Sequence, residues 1–248
     1  MIQNRKKAII IGASSGIGRA LAKVLAQQGY DLGLAAPNFD LLQEVQKEIP
    51  SKCYLAQLDL NYVNESLQSA KKLFLEMGDV DLFVVSAGIS LPNPDLEWEV
   101  ESEIMRVNAI GFMAMANVAV KHFLAQGYGH LVGISSICGL LGGGSHPAYY
   151  ASKACMSSYL SGLRQRLCLT NITVTDIRPG YVKTAMIRDT KGLFWLSTPE
   201  EAAKQIFVAI RRKKKAAYIT ARWALVAIAI RLIPGWLYER IYRHFRTT

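Results

Sequence analysis

Apolar and polar positions follow two periods that alternate from one segment of the chain to the next. Short apolar runs predict buried strands, and each is followed by a longer segment with apolar residues at helical spacing, such as Ala20, Leu21, Val24 and Leu25. The predicted strands are Lys7 to Ile11, Asp31 to Ala36, Cys53 to Leu58, Leu82 to Ser86, His130 to Ser135 and Thr173 to Ile177. The predicted helices are Gly18 to Gln28, Phe39 to Glu48, Glu65 to Met77, Glu101 to Gln126 and a segment that contains Tyr149 and ends near Leu169.

Strands that alternate with helices of this length are typical of parallel βαβ units. The predicted fold class is therefore α/β, with a doubly wound parallel sheet of the Rossmann type in a single domain over residues 1–210. Residues 211–248 form a basic and apolar C-terminal helical tail, with a last edge strand, Ala217 to Thr220, and two short helices, Trp223 to Ile230 and Trp236 to Phe245. In such sheets, ligands bind beyond the carboxyl ends of the strands, where the polar and glycine-rich turns of this chain fall.

The composition is that of a folded chain, because 248 residues that are 51% apolar and 19% charged can bury a sizeable core as one domain. The formal net charge is +10, and the C-terminal tail alone holds ten Lys and Arg residues against one acid, Glu239. The rest of the chain is nearly neutral, so we predict no nucleic-acid partner.

The C-terminal tail mixes its basic residues with tryptophans and aliphatic side chains, a pattern that favours contact with an anionic membrane surface. Arg222 and Arg231 interrupt the apolar stretch, which is therefore too short for a spanning helix of about 20 residues. The alternatives are that the tail packs on its own domain or on a partner subunit, and the sequence leaves them open.

The N-terminal residues run directly into the first predicted strand, without the apolar core of a signal peptide. Four cysteines, Cys53, Cys138, Cys155 and Cys168, lack metal-type spacing, so we predict reduced thiols and no metal site. The expected location is cytoplasmic, and the tail leaves open a peripheral attachment to the inner membrane surface.

A glycine-rich turn, Gly12-Ala13-Ser14-Ser15-Gly16-Ile17-Gly18, follows the first predicted strand. Glycines allow positive φ and a close approach of the backbone to a pyrophosphate, and the helix that follows directs its amide groups and positive dipole end at that group. The spacing differs from the G-x-G-x-x-G dinucleotide fingerprint. Its position between an apolar strand and an amphipathic helix nevertheless predicts a phosphate site.

Tyr149 and Lys153 stand four residues apart, and Ser136 lies upstream of them after the fifth predicted strand. Positions i and i+4 share a helix face, so the Lys153 ammonium is expected to favour the ionised phenol and to lower its pKa from an unperturbed value near ~10. Such a phenol can act as an acid or a base near neutral pH. Tyr150 has no lysine four residues on and is expected to have no such role.

These motifs together resemble the short-chain dehydrogenase/reductase family, over nearly the whole chain up to about Ala209. The resemblance implies a catalytic set of Asn108, Ser136, Tyr149 and Lys153. It also implies that Tyr149 and Lys153 bind the cofactor, together with the turns that follow four of the predicted strands. Those turns contribute Gly12, Ser14, Ser15, Gly16, Ile17, Gly18, Asp59, Leu60, Ser86, Ala87, Gly88, Pro179, Gly180, Val182 and Thr184.

The implied activity is hydride transfer between the nicotinamide of NAD or NADP and a carbonyl or alcohol carbon of a small, apolar substrate. In the reduction direction Tyr149 protonates the developing alkoxide, and Ser136 donates a hydrogen bond to the same oxygen. Lys153 also holds the nicotinamide ribose, and Asn108 positions a water. The resemblance further implies a homodimer or homotetramer. The alternative is a non-catalytic dinucleotide-binding sensor, or a membrane-surface adaptor, on the same fold.

Two segments bear on the choice of cofactor and substrate. After the second strand, where relatives carry an acid for NAD or an Arg for the 2′-phosphate of NADP, this chain has Pro37 and Asn38. No acid repels a phosphate there, so we predict that NADP is preferred, with Arg19, Ser14 or Asn38 as candidate contacts. The apolar residues of Ala185 to Ser197, where relatives carry a substrate lid, either contact a hydrophobic substrate or pack on the core or a partner subunit.

Overall fold

A seven-stranded parallel sheet forms the centre of the computed structural model, which describes residues 5–187, 192–235, 237, 238 and 240. The strands are β1 (Lys7–Ile11), β2 (Asp31–Ala36), β3 (Cys53–Gln57), β4 (Leu82–Val85), β5 (Tyr128–Ile134), β6 (Asn171–Pro179) and β7 (Ala216–Ile219). Their order is β3-β2-β1-β4-β5-β6-β7, with parallel neighbours throughout. The strand order reverses between β1 and β4, which opens a crevice at their carboxyl ends. The predicted doubly wound α/β fold is confirmed.

Helices cover both faces of the sheet. They are α1 (Gly16–Gln27), α2 (Phe39–Lys47), α3 (Val63–Met77), α4 (Trp98–Met105), α5 (Phe112–Gln126), α6 (Pro147–Arg166), α7 (Pro199–Arg211) and α8 (Trp223–Leu232). Leu21 and Ile206 belong to the apolar layer under α1, α2 and α7. Phe112, Phe123 and Leu160 belong to the layer on the opposite face. The sheet is therefore buried on both sides, as its nearly continuous apolar strands require.

The predicted helix Glu101 to Gln126 differs from the structure in its start and in its middle. It begins at Trp98, and α4 continues into α5 through a π-helical turn, Arg106–Gly111. This turn carries Asn108, whose hydrogen bonds to distant segments accompany the wider winding. By length and composition the whole stretch Trp98–Gln126 could cross a membrane, but 61% of its most apolar window is buried, as is usual in a core helix.

Strand β5 begins at Tyr128, two residues before the predicted start. Gly129, which the predicted strand leaves out, pairs with Ile172 of β6. A Cβ at position 129 would overlap the ring of Phe123, so the missing side chain makes room for packing and does not end the strand.

The C-terminal tail divides into two parts on either side of β7. The basic run 211–215 precedes β7 and lies away from the carboxyl edge of the sheet, whereas α8 follows β7 at that edge. The four residues of β7 separate the two parts by about 13 Å. Most of the predicted helix Trp236 to Phe245 lies outside the described residues. The division into a domain of residues 1–210 and an extension stays a prediction.

Helix α8 rests on a small apolar cluster of its own. The buried residues of this cluster are Ile137, Trp223 and Ala227, and it is separate from the two layers that flank the sheet. Among the described residues of α8, only Trp223 and Ala227 are buried. The helix is thus attached to the rest of the molecule through a narrow contact.

Candidate active site

The glycine turn after β1 brings three backbone segments into close contact. Gly12 has a φ of +86°, and a Cβ there would lie 2.5 Å from the Ala87 nitrogen. A Cβ at Gly18 would overlap the carbonyl oxygen of Gly12. The amides of Gly12 and Ala13 donate to the Ala35 carbonyl at 2.7 and 3.1 Å. Larger residues would push these segments apart, so two of the three glycines are required by the turn itself.

Helix α1 begins at Gly16 with no side-chain cap on its first turn. Uncapped amides at a helix N-terminus carry partial positive charge and bind phosphate oxygens well. Gly16 has a φ of +52°, and a Cβ there would lie 3.1 Å from the Thr184 Cγ2 atom across the crevice. The crevice is therefore narrow at this point and is open to a ligand only because Gly16 lacks a side chain. This geometry fits the pyrophosphate of a dinucleotide.

Tyr149 and Lys153 share the face of α6 that is turned to the carboxyl edge of the sheet. The Lys153 Nζ atom lies 5.7 Å from the centroid of the Tyr149 ring. It donates a hydrogen bond to the Ile134 carbonyl at 3.1 Å and contacts the Met156 sulfur at 3.6 Å. Lys153 is 4% exposed, so a cation is held inside the protein beside the phenol.

The pKa of Tyr149 is raised, whereas the sequence predicts that it is lowered. Burial raises the pKa of the phenol above its usual value, and the hydrogen bond with the Ser136 side chain opposes that rise only in part. Burial also lowers the pKa of the Lys153 ammonium to about 8. The predicted lowering of the phenol pKa was wrong, because the spacing of the two residues reveals their proximity but not the loss of solvent around them.

Ser136 lies directly after β5 and caps a short 3₁₀ turn, Ile137–Leu140. Its Oγ atom accepts a hydrogen bond from the Cys138 amide at 3.1 Å and is 3.5 Å from the Pro179 carbonyl. The second distance marks a weak bond, so the hydroxyl proton is available to another acceptor. Ser135 is different, because its hydroxyl is fixed on the buried carboxylate of Asp176 at 2.5 Å.

Asn108 is fully buried and joins two segments of the site. Its Oδ1 atom accepts from the Ile89 amide at 2.8 Å, and its Nδ2 atom donates to the Ile89 carbonyl at 2.8 Å and to Ser152 Oγ at 3.1 Å. Ser152 in turn donates to the Tyr149 carbonyl at 2.7 Å. Both amide protons of Asn108 are thus used within the protein, so the side chain ties the loop after β4 to α6.

The loop after β6 is held in place by hydrogen bonds to the segment around Ser197. Val182 pairs with Ser197 in an isolated bridge, and the amides of Lys183 and Ser197 complete it with hydrogen bonds of 2.9 and 3.1 Å. The amide of Ile187 donates to the Thr184 carbonyl at 3.0 Å, which turns the chain toward the predicted lid. Residues 188–191 of that segment lie outside the described residues.

A cavity of about 780 Å³ lies at the carboxyl edge of the sheet, between these loops. Its wall contains most of the residues that the sequence singled out: Gly12, Ser14, Ser15, Gly16, Ile17, Asp59, Leu60, Ser86, Ala87, Gly88, Ser136, Tyr149, Lys153, Pro179, Gly180, Val182 and Thr184. Gly18 and Asn108 lie behind the wall and shape it through the contacts described above. Within the described part of the chain, no group of three or more His, Cys, Asp or Glu residues could hold a metal ion.

The sequence interpretation missed several aromatic and apolar residues of the wall. Tyr150, for which we predict no acid–base role, lines the cavity with its ring 6.2 Å from that of Tyr149. Trp223, Ile230 and Tyr238 reach the cavity from the C-terminal tail. The Trp223 indole nitrogen is buried with no hydrogen-bond partner among the described residues. No local motif marks these residues, because only the return of the tail over the sheet edge brings them there.

The predicted lid residues divide between two environments. Met186 and Ile187 line the cavity, whereas Phe194 and Trp195 pack beside it. The rings of Phe194 and Trp223 stack with centroids 5.1 Å apart, and Trp195 meets Trp223 edge-on at 5.7 Å. One part of the segment therefore faces the cavity, and another packs on the apolar cluster under α8, whereas contact with a substrate stays a prediction.

Two of the three candidate contacts for the 2′-phosphate of NADP, Arg19 and Asn38, have other partners in the structure. Arg19 is paired with Glu48 at 2.7 Å, and Asn38 caps α2 by accepting from the Leu41 amide at 3.0 Å. Ser14 is the candidate that lines the cavity. Asp59 is the only acid among the lining residues that the structure describes, and its Oδ1 atom accepts from the Asn61 amide at 2.9 Å.

Comparisons with known proteins identify the family and agree with the fold. The family model for short chain dehydrogenases matches residues 6–192. An uncharacterized oxidoreductase of Mycobacterium tuberculosis is 32% identical over 247 residues, covering 95% of this chain and 97% of the relative, and one of Myxococcus xanthus is 34% identical over 186 residues, covering 73% and 74%. A variant of the actinorhodin polyketide ketoreductase, solved with NADPH, superposes with a TM-score of 0.77 at 24% identity, covering 84% of this chain and 91% of that one.

Proposed function

The chain belongs to the short-chain dehydrogenase family and is an oxidoreductase of that family. On this premise we propose that it transfers a hydride between a nicotinamide dinucleotide and a carbonyl or alcohol carbon of an apolar substrate, with Tyr149 as general acid and base. The observation that carries the proposal is the meeting of the Tyr149 phenol, the Ser136 hydroxyl and the buried Lys153 ammonium on one cavity, beside an uncapped helix N-terminus.

In the reduction direction the bound cofactor supplies the hydride, and the protein supplies the proton. The raised pKa of Tyr149 keeps the phenol protonated at neutral pH, so it is ready to donate to the oxygen of the substrate. The Ser136 hydroxyl, held only weakly by the Pro179 carbonyl, turns to donate a hydrogen bond to the same oxygen. Both donors are fixed before the negative charge develops, which lowers the barrier to reduction.

Lys153 stabilises the phenolate that remains after the proton is given away. Its ammonium is buried near the Tyr149 ring, where a charge interacts more strongly than in water. Asn108 is assigned as a positioning residue, because its amide bonds the Ile89 backbone and Ser152 and so fixes the stretch of α6 that carries Tyr149. In the oxidation direction the same phenol must lose its proton first, so oxidation is favoured by higher pH.

The cofactor is assigned to the wall between the glycine turn and the β6 loop. The amides at the start of α1 would hold the pyrophosphate, and Thr184 would contact the nicotinamide end, with Lys153 at the ribose. We propose that NADPH is preferred to NADH, because Pro37 and Asn38, which follow β2, supply no carboxylate to bind a ribose diol. The neighbour solved with NADPH is consistent with this choice.

The ratio of kcat/KM with NADPH to that with NADH tests the cofactor preference. We expect a ratio above about 10, since one charge-assisted hydrogen bond to the 2′-phosphate is worth about that factor. Arg19→Gln should lower the ratio if this arginine leaves Glu48 for the phosphate, whereas Lys23→Gln, which removes the other cation on Glu48, should not. A higher efficiency with NADH would refute the preference.

The substrate is proposed to be apolar. Aromatic and aliphatic side chains, among them Tyr150, Met186, Ile187, Trp223 and Ile230, make up the wall beyond the catalytic groups. Such a wall stabilises a substrate through burial of its apolar surface and leaves Tyr149 and Ser136 to fix the carbonyl. A homodimer or homotetramer stays a prediction, which light scattering on the full chain tests.

Tyr149→Phe tests the catalytic role directly. The variant keeps the ring but loses the proton donor, so kcat/KM for carbonyl reduction should fall by about 10²–10⁴-fold, while the affinity for NADPH changes little. Tyr150→Phe is the matched control and should keep most of the activity. A screen of ketones and aldehydes against NADPH oxidation provides the assay. NADPH binding without turnover of any compound would instead favour the non-catalytic sensor.

A further inference from the structure

Helix α8 is apolar on two opposite faces. Trp223 and Ala227 are buried on the face toward the domain, and Ile230 on that face lines the catalytic cavity. On the other face, Leu225, Ile228 and Leu232 are 67%, 57% and 77% exposed. An amphipathic helix at a protein surface usually turns polar residues outward, so this outward face requires an explanation.

Two arginines border the outward apolar face. Successive residues on a helix are separated by 100°, so Arg222 and Arg231 fall about 90° to either side of the line through Leu225, Ile228 and Leu232. Both arginines are exposed. A helix that lies in a membrane interface has this arrangement, with aliphatic side chains among the acyl chains and cations at the level of the phosphates.

Two further apolar side chains near α8 and the cavity are exposed. Phe194 is 51% exposed, and its ring stacks on Trp223 at 5.1 Å. Met186 is 42% exposed and lines the cavity. Exposed apolar side chains therefore lie on α8, beside Trp223 and on the wall of the cavity.

We propose that the outward face of α8, with Phe194 and Met186, docks on an anionic lipid bilayer, and that the enzyme takes an apolar carbonyl compound dissolved in that bilayer as its substrate. The docking part stands on the surface alone, and the substrate part rests on the proposed function. Ten residues are too few to span a bilayer, so the helix lies in the interface.

Charge decides between a bilayer and a second copy of the chain. The sequence from Ala202 to Tyr238 contains no acid. Two copies that met through α8 would bring Arg222 and Arg231 of each helix together without a carboxylate of this segment to pair with them. Lipid phosphates supply the opposite charge along both borders of the apolar face. The basic run 211–215 lies beyond β7 and is not part of this surface.

Flotation of the full-length protein with vesicles tests the docking. One set of vesicles contains phosphatidylglycerol and phosphatidylcholine, and the other contains phosphatidylcholine alone. We expect binding to the anionic set, reduced about tenfold or more by the double variant Leu225→Ser and Ile228→Ser. The matched control is Leu75→Ser with Leu169→Ser, two leucines that are 84% and 98% exposed elsewhere on the surface, and it should bind as the parent does.

A second pair of variants separates α8 from the basic run. Arg222→Gln with Arg231→Gln should weaken binding to anionic vesicles more than Lys213→Gln with Lys214→Gln. An equal or larger loss from the lysine pair, an equal loss from the Leu75 and Leu169 control, or a lack of binding to anionic vesicles would overturn the docking proposal. The docking proposal would also be overturned if the protein self-associates without binding lipid and the double variant Leu225→Ser and Ile228→Ser abolishes that self-association.

The substrate part has its own measurement. For a long-chain ketone dissolved in anionic vesicles, kcat/KM should fall about tenfold in the Leu225→Ser and Ile228→Ser variant, in parallel with its binding. For a short, water-soluble ketone it should not change, because neither residue lines the cavity. An equal fall for both ketones would refute delivery from the bilayer. Failure of the proposed oxidoreductase activity would appear as no turnover of either ketone, with the flotation result unaffected.

Discussion

The carboxyl edge of the sheet and helix α8 enclose the same cavity but are held in place in different ways. At the edge, close backbone packing at Gly12 and Gly18 and the buried hydrogen bonds of Asn108 fix each loop from several sides. Helix α8 is held by a separate cluster with three buried residues. The proposed catalytic groups therefore lie on the rigid part, which many contacts hold, and part of the proposed substrate wall lies on a helix that few buried residues hold.

The largest expected effect concerns the rigid part. Lys153→Met keeps the length of the side chain and removes the ammonium, so kcat/KM for reduction should fall by about 10²–10³-fold. The melting temperature should stay the same or rise, because burial disfavours the ammonium and lowers its pKa to about 8. In the parent enzyme the rate of carbonyl reduction should fall as the pH rises through the pKa of Lys153, because the ammonium then loses its proton.

Steady-state kinetics across pH and thermal unfolding check this prediction. Lys121→Met is the control, since Lys121 is an exposed lysine of α5. If Lys153→Met lowers the melting temperature as much as the truncation of a core side chain does, Lys153 is needed for folding. The claim that it serves catalysis and not stability would then be wrong.

The next effect concerns the stability of the sheet in acid. Burial lowers the pKa of His130 in β5 to about 4 from the ordinary value of 6.5. Between those values the unfolded chain binds a proton that the folded chain does not, so stability decreases as the pH falls through that window. This shift in pKa corresponds to a loss of about 2–3 kcal/mol in the free energy of unfolding by pH 4.

Urea unfolding at several pH values measures this loss. His130 bonds Thr175 at 2.8 Å, and His130→Gln offers an amide in its place without a titrating group. This variant should lose less stability than the parent between neutral pH and pH 4. Identical pH dependence in the two proteins would show that another group controls the acid response.

The smallest effect is expected at α8 and tests the comparison itself. A tryptophan truncated to alanine in a core costs about 3–5 kcal/mol. Because Trp223 belongs to the separate cluster under α8, we expect Trp223→Ala to lower the global free energy of unfolding by only about 1–2 kcal/mol, with faster amide exchange confined to α8. Phe112→Ala, in the layer next to the sheet, should show the full core value. Equal losses would mean that α8 folds as part of the core.

The order of elements through β6 could be predicted because apolar spacing records which face of each segment is buried. Boundaries were less accurate where a distant partner decides them. The π turn at Asn108 accompanies bonds to Ile89 and Ser152, and β5 begins where Tyr128 pairs with Asn171 of β6. These partners are distant in sequence, so neither boundary could be predicted from local periodicity.

The candidate site shows the same limit. Residues at the ends of parallel strands could be collected from the sequence, because the topology brings those ends to one edge. The direction of the Tyr149 pKa could not, since it depends on how much protein surrounds the hydroxyl. The same holds for Tyr150 and Trp223, whose place on the cavity depends on how α6 and the C-terminal tail pack in three dimensions.

The indole of Trp223 packs against Gly180 on the wall of the cavity. Indole emits light at wavelengths that reduced nicotinamide absorbs, so we expect a reduced dinucleotide bound in this cavity to quench the emission of Trp223 by energy transfer. Among the described tryptophans, Trp223 is the one that lines the cavity. The protein therefore carries its own optical reporter of occupancy, which can be read without any added label.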